Sequence, residues 1–275
     1  MSLEIEKLND FKIHNDDIVR VTKTGDITRI LALARKNSIC PITKLNKDEY
    51  VLNSTGEILQ SKHIQNRSQN MNTIRFSVSQ LRDLINNNFS GGSNELWITL
   101  TFDQNKIYDP KKLYPIFSAF IKRLKRCFKS QDFDYIYVPE PHLKGDWHIH
   151  VLLKSNKKLF IKNSVLQALW GQGFVKVNRL KDIDNIGAYV SAYLINIKDG
   201  ELTKKGARLY LYPPHHRLFR YSSGIVKPVS FYCSYSEAKK IVSSDKLTFS
   251  KAIKITTDDG FSNTICNEFY NKNRK

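Results

Sequence analysis

The chain is 275 residues long, with 41% hydrophobic, 11% aromatic and 25% charged positions, the balance of a folded globular protein and not of a disordered one. Forty-four Lys and Arg stand against 26 Asp and Glu, a formal net charge of +18. A surplus of that size costs self-repulsion in the compact state and points to a polyanionic partner, nucleic acid first. No apolar run reaches the length of a membrane span, and the acidic start "MSLEIEKLND" lacks the basic-then-apolar profile of a signal peptide, so the protein is expected in the cytoplasm, away from membranes. Cys40, Cys127, Cys233 and Cys266 are scattered without a CxxC pair and read as free thiols.

In chain order, "IVRVTKTGDITRILAL" predicts two strands about a Thr-Gly-Asp turn, and "EYVLNSTGEILQ" repeats the pattern. Val78, Leu81, Leu84 and Ile85 then follow a helical period that ends in an Asn run and Gly91-Gly92. From Leu96, "LWITLTFD" reads as a strand, "PKKLYPIFSAFIKRLKRCFK" as a helix with a basic outer face, and "FDYIYVPE" and "WHIHVLLK" as two more strands. A helix "NSVLQALWG" closed by Gly171, a strand "GFVKVNRL" and an Asp-capped helix "DIDNIGAYVSAYLINI" follow. The order β-α-β-β-α-β-α predicts an α+β fold: an antiparallel sheet of split β-α-β topology with helices against one face, behind a small β-rich N-terminal extension. Beyond Gly200 the chain is extended, aromatic and basic, then forms a short helix at "YSEAKKIVSS" and a polar tail. No GxxxxGK[ST] loop is present, which argues against an attached ATP-driven motor.

The stretch "DWHIHVLLK" puts His148 and His150 at i and i+2 of a strand, on one face with Cα atoms roughly 6.6 Å apart, so both imidazoles can converge on one cation. Glu140 ends the preceding strand, and "PHLKGD" is a hairpin-length turn with Gly145 near its tip, which would set the carboxylate beside the pair. Taken alone, a His-x-His pair more often marks hydrogen-bonded strand histidines. Further on, Tyr189 and Tyr193 stand at i and i+4 of a helix among small Ala188, Ser191 and Ala192, stacked about 6 Å apart on one face. Such tyrosines more often pack against a sheet. With a metal held by His148, His150 and Glu140 gripping a scissile phosphate, one of them could instead attack it, leaving a 5′-phosphotyrosyl link and a free 3′-hydroxyl.

These segments together resemble the HUH endonucleases, named for histidine, hydrophobic residue, histidine, and within them the rolling-circle replication initiators of plasmids and single-stranded DNA phages. "WITLTFD" is similar to their first motif, "EPHLKGDWHIHVLL" to their metal motif and "YVSAYL" to their two-tyrosine motif. "WGQGFVKV" and "RYSSGI" are similar to segments of replication-associated proteins related to the filamentous-phage gene II product. The resemblance covers roughly residues 72 to 230 and implies a site-specific nicking and strand-transfer enzyme using Mg²⁺ or Mn²⁺ that cuts origin DNA and hands its 3′ end to a host polymerase, with a host helicase as a further partner. Carried over by position, His148, His150 and Glu140 are the metal ligands and Tyr193 and Tyr189 the candidate nucleophiles, Tyr193 favoured. Family members place a lysine three residues after a catalytic tyrosine; here Asn196 follows Tyr193 and Ala192 follows Tyr189, so that either Lys198 substitutes or the role is absent.

On this reading residues 1–70 form a small β-rich region, 71–232 the catalytic domain and 233–275 a C-terminal extension. Lys122, Arg123, Lys125 and Arg126 on the basic helix are candidate phosphate contacts, and Trp147 and the tyrosine-rich 210–221 segment candidate stacking surfaces for single-stranded DNA. Two other classes fit part of the same features: a DNA-binding replication or copy-control protein without catalysis on the same fold, and an HUH transposase or relaxase.

Overall fold

The computed structural model describes residues 3–36, 41–61, 63–103, 106–181, 183, 185–194, 208–257 and 261–274. In chain order it begins with six strands: β1 (Leu3–Leu8), β2 (Ile18–Thr24), β3 (Ile27–Leu33), β4 (Ile42–Lys44), β5 (Glu49–Leu52) and β6 (Ile58–Gln60). There follow α1 (Met71–Asn88), β7 (Glu95–Leu100), α2 (Leu113–Cys127), β8 (Phe133–Pro141), β9 (Trp147–Ser155), α3 (Asn163–Trp170), β10 (Val175–Asn178) and α4 (Ile186–Leu194). The chain closes with β11 (Arg220–Tyr221), β12 (Val229–Ser234), α5 (Tyr235–Ile241), β13 (Lys246–Thr257) and β14 (Ser262–Asn271). No helix among the described residues is long and apolar enough to cross a membrane.

The molecule is a mixed α+β protein with antiparallel sheets, divided into two compact units: residues 1–23, 27–65 and 229–275, and residues 24–26 and 66–228. In the first unit the strands of both chain ends share one six-stranded sheet, in the order β1-β13-β14-β3-β2-β12. Val19, Val21, Ile30, Ala32, Ala252 and Cys266 turn one face of it onto Ala238 and Val242 of α5 and the segment after it. A capping box, Ser234 accepting from Glu237 N–H while Glu237 reaches back to Ser234 N–H, starts that helix. A separate three-stranded sheet, β4-β5-β6, also belongs to this unit. The polar tail read from sequence is in fact the long β13/β14 hairpin, whose alternation is masked because Ser, Thr, Lys and Asn stand among the apolar residues of both faces.

The second unit is built on a five-stranded sheet ordered β10-β7-β9-β8-β11, every neighbouring pair antiparallel. β9 is its central strand, buried at every position but Lys154, which is why it reads as a near-continuous apolar run. Pro139 and Pro141 lie in β8 beyond Tyr137, the last residue of β8 in the β11 ladder. There β8 is an edge strand, where a missing N–H breaks no ladder bond. Its outward carbonyls are taken up instead by the returning chain: Tyr212 Oη donates to Pro139 O at 2.8 Å and Arg208 Nη1 to Pro141 O at 2.7 Å.

Helices cover both faces of this sheet, not one as the sequence reading had it. α2 lies on the face of Tyr135 and Tyr137, where Phe117 meets their rings at 5.1 and 4.3 Å between centroids. Trp97 pairs with Leu152 in the neighbouring strand and so faces the other way, and there α4 meets it, Tyr189 lying edge-on at 5.8 Å. Trp97, Ile136 and Leu152 make that second face apolar, and an apolar face needs a layer over it. α4 docks on α1 at Gly187, where any Cβ would strike the carbonyl of Arg82. The helix cap expected of an Asp is supplied by Asn185, whose Oδ1 accepts from Ala188 N–H at 2.9 Å.

Candidate metal centre

The hairpin between β8 and β9 turns at Gly145, held in the left-handed region at φ 87°, and its N–H reaches His142 O at 2.9 Å. The turn sets a register in which Glu140 is the direct partner of His148, and Val138 of His150. Direct partners and i+2 neighbours share a face, so the carboxylate and the two imidazoles converge. Glu140 Oε2 lies 3.2 Å from His148 Nε2 and 2.8 Å from His150 Nε2, and the two imidazole nitrogens are 2.9 Å apart. These three are the sole His/Cys/Asp/Glu group among the described residues with the spacing to hold a metal ion.

The donors fit such an ion chemically. Two imidazole nitrogens and a carboxylate oxygen are all lone-pair groups, and their spacing of 2.8 to 3.2 Å is that of neighbouring ligands about 2.1 Å from one octahedral divalent ion, which lie about 3 Å apart. Thr99, opposite His150 in β7, brings its Oγ1 to 3.2 Å from His150 Nδ1. With Nδ1 protonated and donating to Thr99, the lone pair of Nε2 is left for the centre. His148 Nδ1 is buried without a hydrogen-bond partner among the described residues, and the ring of His142 lies beside it at 4.2 Å. Burial raises the Glu140 carboxyl, but hydrogen bonds and charge from His148 and His150 outweigh it and hold the group down at about 2. Thr99→Val keeps the shape and removes the hydrogen bond; it is expected to weaken divalent-ion binding about 10–100-fold, as measured by Mn²⁺ titration, with the fold unchanged by circular dichroism.

Two neighbours of the triad were not singled out as site residues by the sequence, although Trp97 opens the "WITLTFD" segment. Arg208 Nη1 stands 3.8 Å from Glu140 Oε1, tying down the second carboxylate oxygen from a segment remote in sequence. Trp97 bridges the triad and α4, its ring 6.3 Å from His150 and 5.8 Å from Tyr189. A cavity of ≈ 290 Å³ opens beside them, lined by Trp97, Thr99, Lys176 and Tyr189 among others.

Tyr189 is half exposed, at 49%, with its ring on the cavity wall. Tyr193 lies on the same helix four residues on, its side chain outside the described residues, as are Asn196, Lys198 and Cys40. Lys122, Lys125 and Arg126 are exposed on α2. Arg123 is partly buried and donates to Leu169 O at 2.6 Å and Trp170 O at 3.0 Å, a bond pair that ties the end of α3 to α2. Trp147 is 2% exposed; its Nε1 donates to Tyr108 O at 3.2 Å and its ring meets Tyr212 edge-on at 4.9 Å. A ring so enclosed supports β9 from inside and has no face to offer a base.

Residues 95–198 match the family model of the replication-associated proteins of the ORF2 and phage gene II type. The matched stretch runs from the start of β7 to just past α4 and contains Glu140, His148, His150, Tyr189 and Tyr193. The match makes this part of the chain similar to replication-associated proteins. No curated protein matches the chain, and no solved structure does.

Proposed function

We propose that this protein is a metal-dependent endonuclease that nicks a single strand of origin DNA through a tyrosine and so initiates rolling-circle replication, with 71–232 as its catalytic part. The observation that carries this is the His148–His150–Glu140 group set by strand register beside the helix of Tyr189 and Tyr193. The strand order, with β9 between β7 and β8 and α2 linking those two, supports the split β-α-β topology of the HUH superfamily. The replication-associated family match over 95–198 supports the replication role.

His148, His150 and Glu140 would hold Mg²⁺ or Mn²⁺, which when bound would supply Lewis-acid chemistry at the scissile phosphate. The residues of the chain do the rest. Glu140, fixed through Arg208 and both histidines, gives the centre its one negative ligand. The ring of Trp97 and the cavity next to it position a nucleotide against α4, and Lys176, opposite Thr99 in register, brings a positive charge to that cavity. A tyrosine oxygen of α4 forms the bond to phosphorus, the bond from phosphorus to the 3′-oxygen breaks, the phenolic proton is given up and the departing 3′-oxygen gains one. The product ester keeps the energy of the phosphodiester, so the reverse attack by a 3′-hydroxyl rejoins a strand without ATP. Exposed Lys122, Lys125 and Arg126 hold the flanking DNA through its phosphates.

The test is to incubate the protein with Mn²⁺ and single-stranded DNA from the region flanking its own gene, and to look by denaturing gel and intact mass for a protein–oligonucleotide adduct. Wild type is expected to form it, Tyr189→Phe or Tyr193→Phe to lose it, and the double variant to show none. Salt-sensitive DNA binding with no adduct on any segment would favour a non-catalytic replication or copy-control protein, and an adduct on DNA unrelated to an origin would favour a transposase or relaxase.

A further inference from the structure

Away from the triad, the same unit has a second cavity, of ≈ 270 Å³, between α1 and the 215–221 segment. Arg67, His215, His216 and Arg217 line it together with Phe219 and Tyr221, and no acidic residue among the described residues does. Two features mark it as more than a surface crevice. The first is Arg67, whose Nε is buried without a hydrogen-bond partner among the described residues. Burial lowers its affinity for a proton, the mark of a guanidinium held partly out of water, and no carboxylate among the described residues lines the cavity beside it. Such a charge is costly until an anion joins it. The second is the pair of rings Phe219 and Tyr221, near-parallel at 24° and 6.3 Å between centroids, with Tyr221 exposed at 40%.

His216 lines the same cavity. Its ring packs at 5.7 Å from Trp147 and 5.9 Å from Tyr212, and burial, then Arg220 and Arg67, hold it down at about 4 against the pull of Asp109. It is therefore neutral at physiological pH and offers hydrogen bonding, not charge. Ser77 and Gln80, one helical turn apart on α1, add a hydroxyl and an amide to the opposite wall. Cations with no carboxylate among the described lining, flat aromatic surface and neutral hydrogen-bonding groups in one cavity are what a nucleotide needs: a phosphate site beside a place for an unpaired base.

We propose that this cavity is a second nucleotide-binding site, taking one phosphate and base of a single DNA strand, the phosphate on Arg67 and Arg217 and the base along Phe219 and Tyr221. It rests on the reading of the protein as DNA-binding, but not on cleavage. β11, which carries Tyr221, pairs with β8, the strand of Glu140, so a strand seated here is anchored on the same sheet that holds the triad.

The experiment measures binding of a short fluorescein-labelled oligothymidylate by anisotropy over a range of salt, with metal chelated so that no cutting occurs. R67Q and R217Q are each expected to weaken binding and to make the slope of log K against log salt shallower by about 0.7, the value for one phosphate contact on a single strand. Y221A is expected to weaken binding about tenfold with the slope unchanged. Arg217 and Tyr221 are exposed, so their variants test the site even if R67Q fails to fold. R217Q and Y221A that both bind like wild type overturn the proposal, as does a wild type that does not bind the oligonucleotide. The pattern expected here in a protein that forms no tyrosine adduct leaves this site standing and removes the nuclease reading; an adduct with an unchanged R217Q and Y221A does the reverse.

Discussion

His148→Ala and His150→Ala are each expected to lose tight Mn²⁺ binding and to fall at least about 10²–10³-fold in adduct formation, the scale on which a single preorganised electrostatic group acts at a transition state. Both side chains are buried, at 8% and 4% exposure, and each contributes one Nε2 to a three-atom group that has no spare member among the described residues. Glu140→Gln keeps the shape and removes the negative charge, and is expected to weaken the ion as strongly while leaving the β8/β9 hairpin folded. Calorimetric Mn²⁺ titration separates the two readings of the histidine pair. If they are only hydrogen-bonded strand histidines, wild type takes up no ion at this site and the three variants match it. Chelation should behave like the histidine variants, and re-addition of Mn²⁺ should restore wild type but not the variants.

Glu95→Ala is expected to destabilise the second unit by about 3–5 kcal/mol, the cost of leaving several buried polar groups without a partner. Glu95 is 2% exposed at the first position of β7, and its carboxylate accepts from the N–H groups of Ser90, Gly91 and Gly92, the shortest bond being 2.7 Å from Gly91. That loop can close over the carboxylate because Gly91 sits at φ 81° against the carbonyl of Leu180, where a side chain would collide. Arg179 adds a second tie, donating from Nη1 to Ser93 O and Glu95 O at 2.9 and 3.0 Å. Urea unfolding read by tryptophan fluorescence measures the change, and a loss under about 1 kcal/mol would mean that water replaces the carboxylate. Because β7 carries Trp97 and Thr99 into the site, adduct formation should fall with stability in this variant and recover at lower temperature.

Much of the second unit was legible because its signals are local. A period of 3.6 in "LYPIFSAFIKRLKRC", a Gly at the end of α3 and an unbroken apolar run in β9 are each produced by the burial of that one segment. Glu140 was within reach of sequence reasoning because a tight hairpin converts separation along the chain into register. Arg208 was not: its contact with Glu140 depends on where a long connection returns, and no pattern near residue 208 carries that. Trp147 shows the opposite limit. A tryptophan beside a histidine pair in a DNA enzyme suggests a stacking surface, but strand alternation turns it away from the two histidines and onto Tyr212, and burial decides its role.

Near neighbours along the chain thus account for a charge that calls for a polyanion, the helical and strand periods from α1 to α4, two imidazoles on one face of a strand and two tyrosines on one face of a helix. Everything that depends on pairing across the chain came from the folded molecule. Packing joined β13 and β14 to β1 and β3 although one pair lies at the end of the chain and the other at its beginning, laid α4 on the histidine face, and gathered Arg67 with the 215–221 segment around one cavity. The physical reason is that a residue's period reports only that some face is buried, whereas the partner that buries it is selected by side chains far along the chain whose complementarity has no local signature.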